Sequence, residues 1–190
     1  MVNRKHKASH GTKNLRPMVF ACLFAAFTAA ISPLKIPLPF TPVPITLQTF
    51  AVLLSGSMLG PLYGALAMLL YLIVGALGIP VFAGGGSGYG ALLGPTGGYL
   101  FSYPIAAFAV GIITASVKKK QLQLAANVFA MLAGSIIIYA MGATWGRFST
   151  GLPWSAIFAG WVLPFLIGDA IKLVIAAYLA STMSVRRYLR

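Results

Sequence analysis

Asp169 and Lys172 stand three residues apart in the run FLIGDAIKLV, residues 165–174, and Asp169 is the only acidic side chain among 190 residues. On a helix, positions i and i+3 share a face, so the carboxylate and the ammonium emerge together. A carboxylate only accepts hydrogen bonds and an ammonium only donates them. Side by side they complement a planar group with N–H donors next to a carbonyl, as in ureas and cyclic amides. Charge-assisted bonds of this kind discriminate well where water is excluded. The bland alternative is a self-neutralising ion pair that only fixes helix packing. Acid–base catalysis would rest on Asp169 alone, because His6 and His10 lie in a basic tail and no cysteine or second carboxylate joins it. The i,i+4 spacing of those histidines suits a metal, but an isolated pair in a tail makes no site. The chain is therefore expected to bind rather than to catalyse, with no metal and no cofactor.

The surroundings of the pair are apolar. The chain is 59% hydrophobic and 8% charged, with a mean hydropathy of +0.90. Apolar runs recur along its whole length, which implies an integral membrane protein and excludes an ordinary soluble domain. An ionisable group deep in a bilayer costs roughly 2.5–3.5 kcal/mol and marks a functional site by default. With the last span entering near residue 155, Asp169 lies about 20 Å deep at about 1.5 Å per residue. Cys22, the single cysteine, falls in an apolar run and is expected to pack in the core.

Proline and glycine punctuate the runs. The first span is expected at 17–32, followed by PLKIPLPFTPVPIT, whose prolines forbid a regular helix and give a stiff, extended loop. Runs at 46–59 and 62–79 are divided by Gly60-Pro61. A glycine-rich loop follows at 80–95, then spans at 96–116, 122–144 and 155–183, with WGRFSTGLPW as the last loop. The basic start before MVFACLFAAFTAA has the look of a signal peptide, but the spans that follow argue for a retained first helix. The expected architecture is all-α and polytopic: a basic tail at 1–16, a six-helix transmembrane substrate-binding domain at 17–185, and a basic end at 186–190.

The net charge of +13 does not point to nucleic acid, because the cations cluster at segment ends. Arg4, Lys5, Lys7, Lys13 and Arg16 precede the first run, Lys118 to Lys120 form a triplet, and Arg186, Arg187 and Arg190 close the chain. Six spans bring these eleven of fourteen cations to one side, and the positive-inside rule then makes both termini cytoplasmic. Lys35 and Arg147 fall on the opposite side, as do all three long loops. Anionic lipid headgroups are the expected partners of the clusters.

Other polar groups deserve weighing beside the pair. Thr46, Gln48 and Thr49 open the second span and either cap it or meet a ligand. Asn127 is expected to bond between helices. Tyr89, Tyr99 and Tyr103 offer flat walls with hydroxyls, or else anchor the chain at the interface. The stretch from Gly86 to Ala91 fits G-x-G-x-x-A, but no βαβ unit surrounds it and no P-loop motif exists. Its glycines, Gly86 among them, instead let backbone approach a ligand or let a lid move. Ala21, Ala25 and Ala29 recur four apart, as do Ala26 and Ala30, and Gly56, Gly60 and Gly64. Such faces let helices approach closely in lipid.

TPVPITLQTF (41–50), GGGSGYGALLGPTGGYL (84–100) and GDAIK (168–172), set in six spans, together resemble the BioY family. These are biotin-specific substrate-binding subunits, or S-components, of energy-coupling-factor (ECF) importers. The resemblance implies that Asp169 accepts from the ureido N–H groups of biotin and that Lys172 donates to the ureido oxygen. It leaves the valerate carboxylate pointing outward, toward loop backbone donors, Gln48 or solvent. Tyr89 and Tyr99 become candidate walls for the bicyclic ring. It further implies a transmembrane coupling subunit and two cytoplasmic ATPases as partners, with Ala21, Ala25 and Ala29 resembling the docking face. The location implied is the cell membrane, with biotin as cargo. A proton-coupled secondary transporter using Asp169 is the competing reading, and an intramembrane enzyme a weaker one, although no inverted repeat is evident.

Overall fold

A computed structural model of the chain describes residues 9–117 and 119–183, with side chains from Leu15 onward. Arg4, Lys5, His6, Lys7, Lys118 and the cluster at 186–190 lie outside the described residues. Helix α1 spans Ser9–Ile31 and contains Pro17. It therefore starts within the expected tail rather than at residue 17. Propensity does not account for this start, since Ser9 to Arg16 include glycine and several weak helix formers, but the helix continues through Pro17.

The proline-rich segment is a hairpin, with β1 at Lys35–Leu38 and β2 at Thr41–Thr46. This corrects the unpaired loop; the rest of the chain is mostly helical, as expected, with this two-stranded ribbon as an addition. Lys35 pairs with Thr46, Ile36 with Ile45 and Leu38 with Thr41, with an irregularity between Ile36 and Leu38 at Pro37. Each strand of a two-stranded sheet is an edge strand, so a residue without an N–H is tolerated there, and a bulge absorbs another.

Helices α2 (Gln48–Leu59) and α3 (Pro61–Ala76) meet at Gly60. Gly60 adopts φ +83°, which only glycine takes readily, and Pro61 starts the next helix without needing an N–H partner. A 3-10 turn at Ala83–Gly85 and the short helix α4 (Gly88–Leu93) occupy the glycine-rich stretch expected as loop. Helix α5 runs Gly97–Ser116 and packs along α6, Gln123–Thr150. Helix α6 continues past the expected end at 144, so Arg147 lies in helix rather than loop.

The last segment is broken. Helix α7 (Trp154–Ile157) passes into a π-turn at Phe158–Val162 and a 3-10 turn at Leu163–Phe165 before α8, Leu166–Thr182. Pro164 explains the break: it offers no N–H to the preceding turn, and its ring crowds the carbonyl of Gly160. Helix α8 consequently restarts just ahead of Asp169, which sits in its first turn.

Among the described residues three stretches are long and apolar enough to cross a membrane: Gly97–Ser116, Lys120–Thr150 and Trp154–Thr182. Three further apolar helices, Leu15–Ile31, Gln48–Leu59 and Pro61–Ala76, are shorter.

The short helices are locked by close backbone contact. A Cβ at Gly111 would lie 2.3 Å from the nitrogen of Pro61, and one at Gly56 would lie 2.3 Å from the carbonyl oxygen of Ala107. One at Gly64 would come within 2.8 Å of the Cα of Gly56. The glycine face of α2 and α3 is thus internal packing. Gly111→Val should force α5 away from the α2–α3 corner and destabilise the chain by about 1–3 kcal/mol or more. Thermal unfolding in detergent would register this, and an unchanged midpoint would contradict the close approach.

Candidate ligand-binding site

A cavity of about 110 Å³ opens among β2, the glycine-rich segment and helices α2, α5, α6 and α8. Asp169 and Lys172 line it together, as do Thr46, Gln48, Thr49, Gly86, Tyr99 and Tyr103. The side chains of Asp169 and Lys172 are only 13% and 15% exposed respectively, and the two form an ion pair of 2.7 Å. Asp169 Oδ1 also accepts from the Thr49 hydroxyl at 3.2 Å, and Oδ2 accepts from the Tyr139 hydroxyl at 2.5 Å. Lys172 donates a second bond, of 2.7 Å, to the carbonyl oxygen of Thr46. The pair thus ties α8 to α2, to α6 and to the end of the hairpin.

Beside it lies a second polar cluster. Gln48, 4% exposed, donates through Nε2 to the Tyr71 hydroxyl at 2.7 Å, and its Oε1 accepts from Tyr103 at 3.1 Å and Thr46 at 3.2 Å. Tyr71 in turn donates to the carbonyl of Val81 at 3.0 Å. The amide of Gln48 is thereby fixed in orientation by donors and acceptors on three other elements. Thr46 also accepts from the backbone N–H of Gln48 at 3.3 Å, so it steadies the start of α2 as well as facing the cavity.

The remaining wall is apolar, with Val43, Phe82, Leu100, Ile138 and Phe165 among its residues. Tyr99 lies against α6 because Gly142 leaves room: a Cβ there would sit 2.4 Å from the ring. Gly146 accommodates the ring of Trp161 in the same way. The Tyr99 hydroxyl donates at 2.7 Å to the carbonyl of Trp161, inside the π-turn, where the helical pattern is disturbed.

Several expectations need correction. Tyr89 is 71% exposed and does not line the cavity. Ala91 faces the cavity, and residues two apart on a short helix point in opposite directions, which turns Tyr89 outward. Ala21 and Ala25 are buried against neighbouring helices of the same chain, and Ala29 is only half-buried, so most of that face is taken up by internal packing. The small side chains admit α3 closely. The other stripe, Ala26 and Ala30, is exposed, and so is Cys22, which therefore does not pack in the core. Asn127 is fully buried; it accepts from Ser57 at 3.0 Å and donates to the carbonyl of Ala177 at 3.3 Å, bridging α2, α6 and α8.

Tyr71 and Tyr139 were not foreseen as members of this network. A phenol inside an apolar run is itself a signal, since its hydroxyl needs a partner at that depth.

Comparison with known proteins follows the same lines. The BioY family model matches residues 4–189. The chain is 42% identical to the biotin transporter BioY of Thermotoga maritima over 166 residues, covering 87% of this chain and 94% of the relative. It is 41% identical to the biotin transporter BioY of Rhodobacter capsulatus over 171 residues, covering 85% and 90%. Its fold superposes on the crystal structure of the S-component for biotin from an ECF-type ABC transporter with a TM-score of 0.86. That match has 27% sequence identity and covers 96% of this chain and all of the other.

Proposed function

Because the chain belongs to the BioY family, we infer that it is the biotin-binding S-component of an ECF-type importer. The observation that carries the chemistry is the ion pair of Asp169 and Lys172 facing a small, mostly apolar cavity. The head of biotin is an uncharged bicycle whose ureido edge has two N–H groups and one carbonyl. Asp169 accepts from the N–H groups, and Lys172 donates to the oxygen, in bonds strengthened by charge and low dielectric. Tyr99, Phe82 and Phe165 wall the bicycle, and Gly86 lets the backbone approach the ligand. The relatives are named as transporters, which supports capture and delivery rather than chemistry on the ligand.

In the bilayer the six apolar segments all span, with both termini cytoplasmic, and the membrane is the plasma membrane. Two features support this orientation. Gln48 and Thr49 open α2, Tyr99 lies at the start of α5, and Asp169 lies in the first turn of α8. Lys119 and Lys120 follow the far end of α5, so the cavity opens opposite these cations, to the outside. The sequence has no phosphate-binding motif, so the energy comes from a transmembrane coupling subunit and two cytoplasmic ATPases. On α1, Ala26 and Ala30 are open to such a partner.

Calorimetric titration of the detergent-purified chain tests this reading. Biotin should bind saturably and one-to-one, and vitamins without a ureido group should give no heat. Absence of a biotin signal from folded protein would sink it.

A further inference from the structure

Lys35 opens β1 directly opposite Thr46, so both side chains leave the same face of the hairpin. Thr46 lines the cavity. The Lys35 side chain lies over Gly84, where a Cβ would fall 2.2 Å from its Cε and 2.3 Å from its Nζ. Gly84 has φ +67°, a conformation glycine adopts freely, and its missing side chain leaves the space that the ammonium uses. Ala83 and Gly86, on either side of it, line the cavity. The ammonium therefore stands at the rim, between the hairpin and the glycine-rich turn.

Among the described residues no carboxylate neutralises it. The one acidic side chain, Asp169, is engaged with Lys172, so Lys35 has no acidic side chain as partner among the described residues. An exposed cation with a water-facing amine is ordinary by itself. A cation held at the rim of a cavity whose other pole is a carboxylate–ammonium pair is a polarised arrangement. It suits a ligand with a neutral hydrogen-bonding head and an acidic tail.

We propose that Lys35 is the counter-ion for the tail carboxylate of the bound ligand and selects the free acid over neutral-tailed analogues. The inference rests on the reading of the site as a biotin site and adds the residue that reads the tail. It also sets the orientation of the ligand. A tail-first pose would bring the carboxylate to a pair whose charges already cancel and leave Lys35 unmatched, whereas the head-first pose puts opposite charges together at the rim.

Titration of the full-length chain in detergent with biotin and with biotinamide, whose tail is a neutral carboxamide, tests this. The native chain should prefer biotin by about tenfold, the size of one charge-assisted bond partly screened by water. Lys35→Met should lose about tenfold toward biotin and less than twofold toward biotinamide, and Lys35→Arg should retain the preference. Raising salt from about 50 to 500 mM should narrow the native preference and leave Lys35→Met unaffected. Equal losses toward both ligands would mean that Lys35 only pins the hairpin to the glycine turn, and the proposal would fall. A variant indistinguishable from native, with native binding biotin well, overturns the tail contact alone. If the native chain binds neither compound, the biotin reading itself fails and this inference goes with it.

Discussion

Asp169→Asn should weaken biotin binding by roughly 30- to 150-fold, or about 2–3 kcal/mol, the scale of hydrogen bonds to a charged group. The substitution is nearly isosteric, so shape is preserved and charge is what changes. A carboxylate can take donors on both oxygens, and here it already takes Thr49, Tyr139 and Lys172. An amide has one accepting oxygen, and its NH₂ would face the ureido N–H groups, donor against donor. It also removes the counter-charge of the Lys172 ammonium, which is left with neutral acceptors, the Thr46 carbonyl and the new amide oxygen. The unliganded variant should therefore unfold at a lower temperature as well, because a charge that is largely out of water has lost its counter-charge. Calorimetry for affinity and thermal unfolding without ligand separate the two effects. Native-like affinity in Asp169→Asn would remove the carboxylate from the recognition chemistry.

The second large effect is expected from Lys172→Met, which keeps the length of the side chain and removes its donors. Affinity should fall by about 10- to 30-fold through loss of the bond to the ureido oxygen. A separate consequence follows from the bond to Thr46. Lys172 is the link between α8 and the last residue of β2. Without it the hairpin end is freed, and amide hydrogen exchange over residues 41–46 should accelerate while the middle of α5 stays protected. Unaltered exchange in the hairpin would show that the strand is held by other contacts, and unaltered affinity would exclude the ammonium from ligand binding.

Much of the helical framework was legible because breakers are explicit. Gly60-Pro61 divides two apolar runs where the structure divides α2 from α3, and α5 ends beside the lysine triplet. The hairpin was not legible, because prolines argue against strands until it is known that both strands are edges. The charged pair announced itself through chemistry, a lone acid and a nearby base in an apolar run. The partners of that pair did not. Thr49 and Thr46 reach it from 120 and 126 residues away, and no periodicity in the sequence encodes such a meeting. Tyr89 misled because glycine-rich context suggested a ligand loop, whereas α4 fixes which of its residues turn inward. The alanine stripes misled for a related reason. Spacing identifies a face that permits close approach but does not say whether the neighbour is the same chain, and Ala21 and Ala25 turned out to serve α1 within the fold.

Among the described residues no buried side-chain nitrogen or oxygen lacks a hydrogen-bond partner, and the charges of Asp169 and Lys172 already cancel. The pair by itself is thus electrically quiet. A chloride or sodium ion reaching that pair would find its counterpart occupied, and capturing one charge would strand the other. Admission works by swapping partners, and the swap closes evenly for a visitor that gives and takes in the same plane. A protein bathed in salt can in this way ignore the most abundant solutes around it and respond to a scarce neutral ring.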